Sequence, residues 1–107
     1  MAEATISASD GLQAVVAAAY GYDAATAYNR IGISSMNGRT DVAGETVGIE
    51  DWKAILDYGR KHRVGRLSFW SLNRDRPCDK ITKDAWNCSG IKQSPLDFTK
   101  ILAGYGR

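Results

Sequence analysis

At 107 residues the chain is long enough for one small domain with a modest core. Its 14 Lys+Arg against 12 Asp+Glu leave a net charge of +2 with both signs mixed along the sequence, so there is no electrostatic footprint for nucleic acid. Its apolar runs fall short of the about 20 residues that cross a bilayer, and MAEATISASD lacks the basic start and apolar stretch of a leader, so neither a membrane segment nor a signal peptide is expected.

Ser9 and Asp10 are both good helix N-caps, and after them Leu12, Val15, Val16, Ala19 and Tyr20 recur at helical spacing, which predicts a helix ending near Gly21. Ala24, Ala25, Ala27 and Tyr28 predict a second, short helix over 23–29. A strand over 30–36 follows, with Ile31 and Ile33 on one face and Gly32, Ser34 and Met36 on the other. The stretch NGRTDVAGE, 37–45, is polar and glycine-bearing and reads as a connection. Beyond it Glu50 and Asp51 open a helix whose packed stripe is Trp52, Ile55, Leu56 and Gly59. Arg60, Lys61, His62 and Arg63 close it, in the charge order that suits the helix dipole. That basic cluster reads as a solvated helix end.

A second strand over 64–71 puts Leu67 and Phe69 on one face and Arg66, Ser68 and Trp70 on the other. Ser94 as N-cap and Pro95 at the first helical position start a last helix with Phe98, Ile101, Leu102 and Tyr105 at i, i+3, i+4, i+7. The order helix, strand, helix, strand, helix, with a crossover helix between the strands, demands that the strands be parallel. Parallel sheets are covered on both faces and do not stand as two strands, so further strands are required from a partner or a parent chain.

In α/β architectures functional side chains lie at the carboxyl ends of the strands, here 36–41 and 70–76. Trp70 is the sharpest candidate: an indole there forms either an apolar platform for a sugar ring or part of the core. Asn73, Arg74, Asp75 and Arg76 read as a hydrogen-bonded loop with ion pairs. Asp41 and Glu45, four apart in a loop, read as surface charge ahead of acid–base catalysts. Trp52 and Trp86 read as packing residues. His62 has no triad partners nearby. Cys78 and Cys88 are either a bridge closing a short loop or two free thiols, and with one histidine in the chain they offer no zinc spacing. No phosphate loop, dinucleotide fingerprint or CxxC is present, so no cofactor is expected.

The stretches IGISSMNGRTDVAGE, EDWKAILDYGRKH, GRLSFWSLNRDRPC and NCSG…SPLDFTKILAGY resemble the carboxyl-terminal part of bacterial chitinases of glycoside hydrolase family 18. The resemblance runs over nearly the whole chain, and LSFWSLNRDRPC is its most specific part. It implies an α/β fold that is the carboxyl-terminal portion of a (β/α)8 barrel, namely helix 6, strand 7, helix 7, strand 8 and helix 8, as a single unit over 1–107. By resemblance Trp70 floors the sugar subsite beside the cleaved bond, with Met36 and Asp41 near the same pocket, while Ser35 and Thr40 stand where the family pattern has Pro and Asn. It also favours a Cys78–Cys88 bridge and a secreted parent protein.

Family 18 enzymes carry a DxxDxDxE motif whose Glu protonates the leaving oxygen while the substrate's N-acetyl group attacks the anomeric carbon, an exception to the two-carboxylate scheme. That motif is absent from this sequence. The implied function is therefore a share in a chitinase-type hydrolase of β-1,4-linked N-acetylglucosamine polymers, with the catalytic acid supplied from elsewhere. The implied partners are chitin or chito-oligosaccharide, and the remainder of the barrel or another copy of the chain. The alternative is a non-catalytic carbohydrate-binding or self-assembling barrel fragment.

Overall fold

The computed structural model describes residues 1–80 and 87–106; the expectation for Trp86 lies outside them. Helix α1 (Ala2–Tyr20) and helix α2 (Ala24–Asn29) lead into strand β1 (Gly32–Met36). Two-residue strands β2 (Gly38–Arg39) and β3 (Thr46–Val47) precede helix α3 (Ile49–His62), strand β4 (Arg66–Trp70), a 3-10 turn (Leu72–Arg74) and helix α4 (Asp97–Ala103).

The first helix starts well before the expected caps. Asp10, at mid-helix, accepts the Tyr28 hydroxyl at 2.7 Å and the Tyr58 hydroxyl at 2.5 Å, so it ties α1 to α2 and α3 instead of capping. Those two bonds, Tyr58 first, hold its carboxyl below the ordinary aspartate value. The start of α1 is held from a distance: the Ala2 amide donates to Asp51 Oδ1 at 3.0 Å, and Asp51 Oδ2 takes the Gly48 amide at 2.8 Å at the head of α3. Asp23 caps α2, accepting the Thr26 amide at 2.7 Å.

Strands β1 and β4 are parallel neighbours in the register Gly32↔Arg66 to Met36↔Trp70, joined through α3. Ile31 and Ile33 turn to the helical side, where they pack with Trp52, Ile55, Tyr58, Val64 and Phe98, and Leu67 and Phe69 border this cluster. The stripe expected on α3 is buried throughout. Gly59 belongs to it because the helix lies close on the strand: a Cβ there would stand 3.0 Å from Leu67 Cδ1.

The opposite face of the sheet is uncovered, with Gly32, Ser34, Arg66 and Trp70 exposed. Among the described residues no third strand joins β1 and β4. The chain is a slab of 50 × 30 × 18 Å with a radius of gyration of 14.9 Å. A closed domain of this length would have about 13 Å.

Two expectations are corrected. The 37–45 stretch is not wholly irregular, because β2 pairs antiparallel with β3 across it. Helix α4 starts after Leu96 instead of after Ser94: the Ser94 amide donates to Asp97 Oδ2 at 2.8 Å in the preceding turn, and the free amides of the helix go to Asp75.

Candidate functional site

Met36 and Trp70 end the two parallel strands side by side. Trp70 is 48% exposed in this chain. Met36 is half-buried, and its carbonyl accepts the Trp52 indole N–H at 3.2 Å, so Trp52 is a packing residue that also ties α3 to the end of β1.

Asn37, the next residue, is fully buried and joins the two strand ends. Its side-chain amide donates to the Ser71 carbonyl at 3.2 Å and accepts the Ser71 amide at 2.8 Å. Its backbone amide donates to the Trp70 carbonyl at 3.3 Å. The Trp70–Ser71 peptide bond is cis.

Arg74 completes the frame from the 3-10 turn. Its guanidinium carbon lies 5.7 Å from the centre of the Trp70 ring, within the range of a cation–π contact. Nη2 donates to the Asn37 carbonyl at 2.8 Å and to the Arg39 carbonyl. Burial lowers the Arg74 pKa from its ordinary value, and the carbonyls around Nη2 compensate part of the desolvation of its charge.

A second layer of loop lies behind. The Arg39 amide donates to the Ser89 carbonyl at 2.8 Å, and the Ser89 amide and hydroxyl both donate to the Arg76 carbonyl, at 2.9 and 3.2 Å. Cys78 and Cys88 are bridged, with Cα atoms 5.0 Å apart, so the segment beginning at Cys88 is held against the strand-end loops. Of the two alternatives for the cysteines, the bridge is the one present. Asp75, 1% exposed, is a structural acceptor for the head of α4. The loop over 73–76 is thus hydrogen-bonded, as expected: Arg74 donates to backbone carbonyls, and Asp75 accepts from backbone amides and neutral side chains.

Asp41 is exposed in the turn between β2 and β3, one residue past Thr40, whose amide pairs with the Glu45 carbonyl at 3.1 Å. The strand register brings Met36 and Trp70 together, whereas Asp41 is carried on the separate hairpin. His62 stacks on Tyr28 with ring centres 4.3 Å apart, in the basic end of α3 and therefore at the far end of β4 from Trp70. Asn37 was visible in the sequence only as the first residue of a polar loop; its position directly after the strand's last residue is the one signal that could have singled it out. Among the described residues no group of three His, Cys, Asp or Glu side chains could hold a metal ion, and no helix is long and apolar enough to cross a membrane.

No protein-family model matches the sequence, and no curated protein sequence does. Among solved structures, the catalytic domain of a hyperthermophilic chitinase from Pyrococcus furiosus matches with a TM-score of 0.84 and 22% identity, over 99% of this chain and 36% of that one. Structures of catalytic-site mutants of active domain 2 of the chitinase from the same organism, one set complexed with chito-oligosaccharides, give the same values. The chain therefore spans 36% of the length of the solved chains it matches. The likeness shows fold: the chain has the α/β fold of part of a chitinase catalytic domain.

Proposed function

We propose that the chain is the carboxyl-terminal segment of a family 18 chitinase-type (β/α)8 barrel, with β1 and β4 as its seventh and eighth strands. In this reading it shares in the substrate-assisted hydrolysis of β-1,4-linked N-acetylglucosamine polymers. Its own contribution is a sugar-binding surface: Trp70 floors the subsite beside the cleaved bond, and Met36 and Asp41 border it. The catalytic acid comes from the remainder of the barrel.

The observation that carries this reading is the exposed indole of Trp70 at the carboxyl end of a parallel strand, beside an uncovered sheet face. Indoles offer sugars an apolar face with a polar edge, and carboxyl ends of parallel strands are where α/β barrels collect their binding groups. The match to a chitinase domain over 36% of its length supports the same assignment, as does the complex of one such structure with chito-oligosaccharides. The disulfide supports a secreted parent protein, since such bridges persist in oxidising compartments.

The test is calorimetric titration of the chain with chito-oligosaccharide, beside Trp70→Ala. Binding that disappears in the variant, without turnover by the chain alone and with turnover once the complementary barrel segment is added, is the expected result. Turnover by the isolated chain would contradict the reading. The open face and edges of the sheet also favour the second reading, a self-assembling binding fragment, and sedimentation velocity separates the two: stable oligomers of the chain alone support self-assembly.

A further inference from the structure

We propose that Asn37 is a positioning residue for the Trp70 binding surface, acting together with Arg74. For its ligand class, a pyranose ring of an amino sugar, the inference rests on the function proposed above; the positioning itself stands on geometry alone.

A tryptophan at a strand end has two side-chain torsions to settle. Trp70 is half in solvent, so core packing does not orient it. A frame around its backbone and one ring face contributes to its orientation. Asn37 holds Ser71, the residue after Trp70, by two hydrogen bonds in opposite senses, at 3.2 and 2.8 Å, its carboxamide supplying both the donor and the acceptor. The Asn37 backbone amide donates to the Trp70 carbonyl as well. Arg74, whose Nη2 is anchored on the Asn37 carbonyl at 2.8 Å, puts its guanidinium over the indole. Asn37 and Arg74 are 0% and 3% exposed, so these bonds are made away from competing water and hold their geometry. A binding surface kept in place before the ligand arrives avoids the ordering cost at binding, which is what such a frame provides.

The experiment compares the wild-type chain with Asn37→Ala, Arg74→Lys and Ile55→Val, the last a core control away from the frame. Two quantities are read: the near-ultraviolet circular dichroism due to Trp70, obtained by subtracting the Trp70→Phe spectrum in each background, and the affinity for chito-oligosaccharide. Asn37→Ala is expected to erase the Trp70 signal and to weaken sugar binding by about tenfold or more, the usual order for losing a partner that orients a binding group. Arg74→Lys keeps a charge and a donor for the Asn37 and Arg39 carbonyls but removes the planar cation, and it is expected to do the same. Ile55→Val lowers the melting temperature and leaves both quantities unchanged.

A Trp70 signal and an affinity that survive in folded Asn37→Ala, or in folded Arg74→Lys should the first variant not fold, overturn the proposal. So does an equal loss in Ile55→Val, which would make the effect one of general loosening. If wild type binds no chito-oligosaccharide, the sugar reading fails while the Trp70 signal still decides the positioning role.

Discussion

Asp75 Oδ2 accepts both the amide and the hydroxyl of Thr99, at 2.7 and 2.6 Å, while Oδ1 accepts the Phe98 amide at 3.1 Å and the Gln93 side-chain amide at 2.8 Å. One carboxylate therefore caps a helix that begins more than twenty residues later in the chain. Its own loop accounts for none of these bonds.

Asp75→Asn removes the charge and part of this acceptor capacity, and it should cost about 2–3 kcal/mol at neutral pH, the range for bonds to a charged buried group. Burial pushes the Asp75 carboxyl up, but the bonds from Thr99, Gln93 and Phe98 outweigh it and hold the pKa below the ordinary value. Because the folded value is depressed, the contribution is complete above the unfolded value near about pH 4 and is lost as the pH falls through the folded one. Urea denaturation from neutral to acid pH should show a decline in wild type below that point that is shallower in Asp75→Asn.

Gly38 has a φ of +82°, and a Cβ there would lie 2.2 Å from the Ser89 carbonyl oxygen. Gly38→Ala should destabilise by at least about 2 kcal/mol, combining left-handed strain with displacement of the 89 loop. Thermal unfolding measures the loss, and faster proteolysis after Arg39 or Arg76 locates it.

Replacing Cys78 and Cys88 together with Ser should cost about 2–3 kcal/mol, the order expected for a short closed loop. The effect should be reproduced in wild type by reductant and should be absent when reductant is added to the double variant. Equal stability of the two chains under oxidising conditions would contradict the bridge.

Gly11 lies inside α1 with open space around its would-be Cβ. Gly11→Ala should raise stability by about 0.5–1 kcal/mol, since glycine loses the most backbone freedom in a helix interior. A higher melting temperature with an unchanged Trp70 spectrum is the expected outcome.

On α3 and β4 local periodicity and burial agree, whereas on α1 the expected stripe is not buried: Leu12, Val15, Ala19 and Tyr20 are exposed. Trp52, Ile55, Leu56 and Gly59 form the buried stripe of α3 and Leu67 and Phe69 line the helical face of β4, because period and burial are the same fact seen twice. The short hairpin escaped detection because two-residue strands have no period to read. The starts of α1 and α4 escaped it because their amides are taken by Asp51 and Asp75, far along the chain, in place of a neighbouring side chain.

At the site, the residue at the strand end was legible and its supports were not. Trp70 stands out in the sequence as an indole at the end of an apolar strand, and the parallel order of β1 and β4 follows from the length of the helix between them. Asn37 and Arg74, which reach the strand end through the parallel register and the 3-10 turn, carry no local signal. Sequence determined the crossover helix and the two strands it joins, since these depend on neighbours along the chain. Only the tertiary structure decided that Trp70 is exposed, that Cys78 meets Cys88 and that the buried Asn37 side chain ties the two strand ends together, because burial and hydrogen-bond partners are properties of residues far apart in sequence.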